Sequence, residues 1–566
     1  MKKLLALLLA VVMVVGLMAA CNKGGTEDTK ATTEATQGGS ADVTEGTTEA
    51  TEPLPGYMDA AHPERYGGHL NPRLAGTSGH NSLDPMNKTG IWAYHWTTLV
   101  YEPALTRDAD NQIQPGLCDY TWDPATLTLT MWMASDDITF HDGSPCEITD
   151  VYATWVRAST MYSSIKTKVW PHVVSCELDG DKMVVKLDQD FENFWYYMAS
   201  YQTWCAVQPK EICEKYTGDK NYNADNVADA IGTGPYKVIA NEAGVSLELE
   251  RYEGYVFRGE GLTGFAGPKY AYMDTITFWD NGDDSNATMA LFAGDYDVVE
   301  CIDSEYLALL SDNDLVETRW PSDTGCRMYF NTKSTASTVS RYPSMRKAIM
   351  AAIDYEEFLK VVTDNQQVMG GCFYLSPDLY TDEFVNQDYY GPTNMEAVNK
   401  YLEMAKQEGW DGVEPVRIYR SSSRDDIPTL YKKYLQDAGI PVEVNIMEGG
   451  AISDIKAQKE TSLWDVDFDW PTYRMTPTTY TGWTYQSQPE YEALIAEMQM
   501  MDVNSDAYKE KVKELTKIHL EELGIAYMSM IDWFWYHPET LNPNDEGLTR
   551  YWFNAYWTDP ENHTKK

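Results

Sequence analysis

Apolar and polar positions along this chain follow two periodicities, and they change over near its middle. From Ala125 to Met133 the residues alternate one by one, which places one set of side chains on each face of a strand. Glu177 to Leu187 holds two such runs around an Asp179-Gly180 turn and predicts a hairpin. Asp150 to Met161 has helical spacing instead, with Val151, Trp155 and Ala158 on one stripe. Ser344 to Val362 predicts a longer helix through Met345, Ile349, Ala352, Ile353, Phe358 and Val361. Met395 to Gly409 predicts another, stopped by its glycine. Then follow a strand at 415–419, a helix from Thr429 to Ala438 ended by Gly439, and a strand at 441–446. Tyr491 to Met501 and Ala507 to Leu523 are predicted helices. The second half therefore alternates strand and helix, an α/β lobe, whereas the first half mixes hairpins and helices, closer to α+β. No internal repeat of solenoid period is present.

The N-terminus follows neither rhythm. Met1-Lys2-Lys3 is basic, Leu4 to Leu17 is almost wholly apolar, and small residues then lead to Cys21. This is the layout of a signal peptide over 1–20, and the run falls short of the roughly 20 apolar residues that span a bilayer. Leu17-Met18-Ala19-Ala20-Cys21 resembles a bacterial lipobox, although Met18 stands where leucine is usual. That resemblance implies cleavage before Cys21 and a diacylglycerol on its thiol. Residues 21–56, rich in Thr, Glu, Gly, Ala and Ser, hold almost none of the large apolar side chains that offset ordering entropy. They predict a disordered tether between a lipid anchor and a folded body.

Composition narrows the partners. A formal net charge of −43, spread along the chain, repels nucleic acid and anionic lipid alike. Apart from Cys21 the cysteines form no CxxC pair or Cys/His cluster of metal-site spacing, so no metal or cofactor is implied. The 39 Tyr and 18 Trp outnumber the 14 Phe, a surplus of rings with a polar edge that suits either a ligand-stacking cleft or a core.

An ordered series of segments resembles the family 5 extracellular solute-binding proteins of ABC importers, the dipeptide/oligopeptide/nickel class. It begins with Leu99-Val-Tyr-Glu-Pro-Ala-Leu-Thr-Arg107 and Ile113-Gln-Pro-Gly-Leu117. Ile138-Thr-Phe-His-Asp-Gly-Ser-Pro145 with Ile148-Thr-Asp-Val151 is the most diagnostic stretch, and Gly232-Thr-Gly-Pro-Tyr-Lys237 follows. The segment 287–298, Met328-Tyr-Phe-Asn-Thr-Lys333, Met345-Arg-Lys-Ala-Ile349, Ala352-Ile-Asp354 and Ala438-Gly-Ile-Pro-Val442 complete it, in family order. The resemblance implies a two-lobed, periplasmic-binding-protein-like fold of the large three-domain type, closing on its ligand by a hinge. One lobe is expected over 57–330 plus 526–566, with an extra subdomain near 98–230, and the other over 331–525. A hinge strand is expected near Phe330-Asn331. The implied partners are an oligopeptide or other small solute and the permease subunits of an importer, with the protein a monomer held at the outer face of the cell membrane.

Ligands of α/β lobes gather at the carboxyl ends of strands. Arg424, in the donor-rich loop after the 415–419 strand, suits a carboxylate clamp or a sugar hydroxyl as well as a solvated loop position. Trp464 to Pro471 is the richest stretch, and the family's peptide-binding motif fits it in two registers. In one, Trp464, Asp467, Phe468 and Pro471 match and Asp467 anchors a peptide amine. In the other, Trp470 and Pro477 match, Tyr473 takes the aspartate's place, and a neutral ligand is favoured. Trp464, Trp470 and Trp483 suit stacking on a side chain or sugar ring, or simply core. His141 and the glycines Gly232 and Gly234 read as turn-forming residues rather than as a catalytic base and a phosphate cradle. An oligosaccharide receptor is the second expectation. A nickel-chelate receptor has no histidine near Asp467, an exported hydrolase has no G-x-S-x-G or H-E-x-x-H, and an adhesion protein leaves the ordered segments unexplained.

Overall fold

The computed structural model describes residues 57–565 apart from 75–81, 88–92, 111, 163, 201–204, 218–221, 223–224, 281–283, 300–308, 363–387, 390, 421–425, 448, 459–460, 470–488, 499–500, 502–504, 519–525 and 544–551. Cys21 and its surroundings therefore lie outside the described residues.

The strands of the first half are β1 (His69–Leu70), β2 (Pro72–Leu74), β3 (Leu105–Arg107), β4 (Ile113–Pro115), β5 (Cys118–Asp123), β6 (Thr128–Met133), β7 (Val173–Asp179), β8 (Lys182–Leu187), β9 (Tyr236–Glu242), β10 (Ser246–Arg251), β11 (Thr275–Asp280) and β12 (Val298–Val299). The second half adds β13 (Leu315–Phe330), β14 (Val416–Arg420), β15 (Val442–Ile446), β16 (Val466–Asp469) and β17 (Ala526–Pro538). One large sheet runs β15-β14-β16-β13-β17-β12-β2-β11-β10-β9, with β1 beside β11, and β5-β6-β8-β7 form a second, four-stranded sheet.

The predicted 177–187 hairpin is β7 and β8, closed where Gly180 adopts a φ of +64° that a side chain would oppose. The predicted 150–161 helix spans Ile148–Met161 and buries Val151, Trp155 and Ala158. Its first turn is capped reciprocally, Asp150 Oδ2 accepting the Glu147 N–H at 2.8 Å. The single helix expected over 344–362 is instead two, Pro343–Ala352 and Tyr355–Val362. Ile353 is extended, and the Asp354 carboxylate takes the Glu357 N–H at 2.9 Å. Apolar spacing ran unbroken across that boundary, and a local side-chain cap restarted the helix.

Buried residues gather into separate cores. One joins Met328 and Phe330 of β13 to the helices Pro343–Ala352, Met395–Gln407 and Asp426–Asp437 and to Val466 and Phe468. A second packs Leu99, Leu247, Ile276, Trp535 and Trp552 together, and a third fills the four-stranded sheet with Leu129, Trp155, Met183 and Phe194. Strands β13 and β17 pair antiparallel from Leu315↔Pro538 to Met328↔Ala526, β13 entering the first core through Met328 and Phe330 and β17 the second through Trp535. Among the described residues no helix is long and apolar enough to cross a membrane.

Candidate functional site

Strands β14, β15 and β16 are parallel, so Arg420, Ile446 and Asp469 mark one common end of this part of the sheet. The segments 421–425 and 470–488 leave directly from the carboxyl ends of β14 and β16, where α/β sheets take their ligands. Arg424, Trp470, Tyr473 and Trp483 belong to those segments and lie outside the described residues. Trp464 and Asp467 are described.

Alternation along β16 sorts its side chains. Val466 and Phe468 enter the core, where Phe468 meets the Tyr431 ring edge-on at 4.9 Å. Asp465 and Asp467 take the opposite parity. Asp465 accepts Ser337 Oγ at 2.7 Å, the Val339 N–H at 3.1 Å and the Arg417 N–H at 2.7 Å, tying three segments together. Burial pushes its carboxyl up to about 6 despite those three donors.

Asp467 is fully engaged within the chain. Its Oδ1 accepts Arg420 Nη1 at 3.1 Å and the Phe468 N–H at 2.7 Å. Its Oδ2 accepts the Tyr329 hydroxyl at 3.1 Å and the Lys456 ammonium. Tyr329 stands opposite Asp467 in the β13–β16 register. Lys456 comes from the helix Gly449–Ala457, and its ammonium lies 5.2 Å from the Trp464 ring centroid and 5.8 Å from that of Tyr329. Trp464 is buried edge-on against Tyr329 at 5.7 Å, so it lines this cluster. A ligand ammonium at Asp467 would have to displace Lys456. Neither Lys456 nor Tyr329 was singled out by sequence, because no spacing relates residues 127 apart that meet only across the sheet.

His141 is held as a turn residue. Its Nδ1 accepts the Gly232 N–H at 3.2 Å and its Nε2–H donates to the Gly234 carbonyl at 3.0 Å, which assigns the tautomer. Burial lowers the imidazole to about 4, so it stays neutral. Gly232 and Gly234 admit a close chain crossing: an added Cβ would lie 2.0 Å from Val100 O and 2.2 Å from Leu99 O. Among the described residues no group of three or more His, Cys, Asp or Glu side chains is placed to hold a metal ion.

These features are those of a two-lobed solute-binding protein. The family model "Bacterial extracellular solute-binding proteins, family 5 Middle" matches residues 112–492. The chain belongs to that family. It is 22% identical over 393 residues to a probable peptide ABC transporter periplasmic-binding protein of Sinorhizobium fredii, covering 67% of this chain and 71% of that one. The fold matches DppA of Helicobacter pylori in complex with the peptide STSA, with a TM-score of 0.70, 17% identity, and 88% of this chain and all of that one covered. It also matches AgaA from A. tumefaciens R10 in complex with agropinic acid, with a TM-score of 0.69, 16% identity, and 87% and 99% covered. These relatives are binding proteins, and the expected solute-binding fold is the one observed.

Proposed function

We propose that this protein captures oligopeptides between two lobes and passes them to an ABC importer without transforming them. The single observation that carries the reading is membership of family 5 across residues 112–492. The lobes are 57–330 with 526–566, including the subdomain near 98–230, and 331–525, closing about β13 and β17. The protein works as a monomer, held outside the membrane by a lipid on Cys21 and the tether behind it. Intact-mass analysis of the membrane-extracted protein tests the anchor. A diacylglyceryl mass on a chain beginning at Cys21 supports it, and an unmodified Cys21 removes it.

Of the two registers, the ion cluster supports the second. A carboxylate already joined to Arg420 and Lys456 has no vacancy for a peptide amine. Ligand contacts then fall to Arg424, Trp470, Tyr473 and Trp483, with Trp464 as a supporting wall. Native mass spectrometry of the body from Pro55 onward reads the ligand class directly, a ladder of peptide masses being expected. N-acetylating a bound peptide is expected to change its affinity less than threefold. A loss of 100-fold or more would restore Asp467 as the amine anchor. The occupied Asp467 also favours a second reading, an uncharged oligosaccharide stacked on the tryptophans, which a co-purifying hexose ladder would establish.

A further inference from the structure

Far from β14 and β16 in sequence, a second pocket lies beside the β3–β4 hairpin, lined among others by Glu102, Thr106, Gly116, Arg258, Gly259 and Lys269. Its glycine walls are packed at contact. A Cβ added at Gly259 would lie 1.8 Å from Ala266 O, and one at Gly116 would lie 2.5 Å from Pro103 O. Widening the pocket therefore requires main-chain movement, which restricts it to a small occupant.

The charges around it do not balance. Glu102 faces two cations, the Arg258 guanidinium at 2.6 Å and the Lys269 ammonium at 3.4 Å. Glu102 is saturated, because the Tyr255 hydroxyl at 3.2 Å and Thr233 Oγ1 at 3.2 Å also donate to it. The cations are not. An ammonium has three donors, and among the described residues the polar partner of Lys269 is Glu102, at a separation longer than the roughly 2.7–2.9 Å of a good charged hydrogen bond, with the Phe553 ring centroid 5.9 Å away. Arg258 donates to Val256 O at 2.8 Å and to Glu102 at 2.6 Å, two of its five N–H groups. Burial pushes the Lys269 ammonium below its usual range even though Glu102 pulls it up, with Arg258 adding to the fall. Burial acts upward on Glu102, and Arg258 and Lys269 together outweigh it and hold that carboxyl low. Arg258 and Glu102 pair charge for charge at 2.6 Å, so the Lys269 ammonium at 3.4 Å shares a carboxylate already matched and has no counter-ion of its own among the described residues.

We propose that this pocket binds a small monovalent anion, of halide or formate size, between Lys269 and Arg258. The anion supplies the second negative charge and takes up the ammonium donors that Glu102 leaves over. The proposal does not rest on the ligand reading.

Bromide is the probe. In crystals of the unaltered protein grown in sodium bromide, an anomalous peak is expected within hydrogen-bond distance of Lys269 Nζ. Absence of a peak there, with ordered side chains, overturns the proposal. In solution, the unfolding midpoint is expected to rise with chloride at constant ionic strength, gluconate making up the balance, because an anion bound only by the folded state stabilises it. Lys269→Met is expected to abolish that dependence. An equal chloride response in both proteins also overturns the proposal, and if the variant does not fold the crystal experiment decides alone.

Discussion

Two clusters of similar composition stand in different cores of this chain. Each has one carboxylate, one arginine, one lysine and a tyrosine hydroxyl: Glu102 with Arg258, Lys269 and Tyr255, and Asp467 with Arg420, Lys456 and Tyr329. Burial does not distinguish them, since each carboxylate side chain is 6% exposed. The lysine does. Lys456 bonds Asp467 directly and lies near two aromatic faces, which spread a cation's field through their quadrupoles. Lys269 stands off at 3.4 Å beside a pocket, with one aromatic face, that of Phe553, 5.9 Å away. The same charge count gives a closed structural knot in one place and an incomplete site in the other, so an inventory of residue types does not identify function.

The largest test removes the carboxylates. Glu102→Ala and Asp467→Ala each strand two cations that are less than a fifth exposed and are expected to cost about 3–5 kcal/mol by urea unfolding. A loss below about 1 kcal/mol at either would mean that cluster is solvated rather than buried.

Acid should separate the two regions. His141 is lowered to about 4 in the fold, so between its unfolded value near 6.5 and about 4 the unfolded chain binds the extra proton. Its contribution is complete above that window and is lost as pH falls through it, about 3 kcal/mol at most. Asp465 is raised to about 6, so from there down to about 3.8 the folded chain binds the extra proton, and stability near β16 rises as pH falls. Hydrogen exchange at pH 7 and pH 4.5, corrected for intrinsic rate, should show residues 99–101 and 232–236 losing protection while 416–420 and 464–468 do not. Equal changes in both would refute the assignment.

The smallest expected effect exchanges the lysines. Lys456→Met removes a direct charged bond and should cost about 1–3 kcal/mol. Lys269→Met leaves Glu102 and Arg258 as a balanced pair and should change stability by less than about 1 kcal/mol. The reverse order would show that the pocket-facing lysine, not Lys456, is the one held by its carboxylate.

Local elements were legible where one physical cause acted alone. Gly180 and Gly439 turned the chain where they were expected to, because a positive φ is a local need. The strand at β14 and the helix Met395–Gln407 followed from periodicity, since each buries a single face. The 344–362 helix was over-extended because hydrophobic spacing carries no mark of the Asp354 cap. At the candidate site, Asp467 was visible as a residue but not as a partner of Arg420, Lys456 and Tyr329.

The sequence by itself determined the alternation of strands and helices in the second half, the net charge, and enough ordered segments to indicate the family. These are properties of neighbours along the chain, where spacing, turn chemistry and charge act at short range. The tertiary structure alone decided that the paired strands β13 and β17 feed different cores, that His141 is a neutral link to a glycine turn, and that Asp467 is joined to its lysine directly while Glu102 stands 3.4 Å from Lys269. Each depends on groups brought together from distant segments, and electrostatic balance in a buried site is set by distances of a few ångströms, which linear order does not encode.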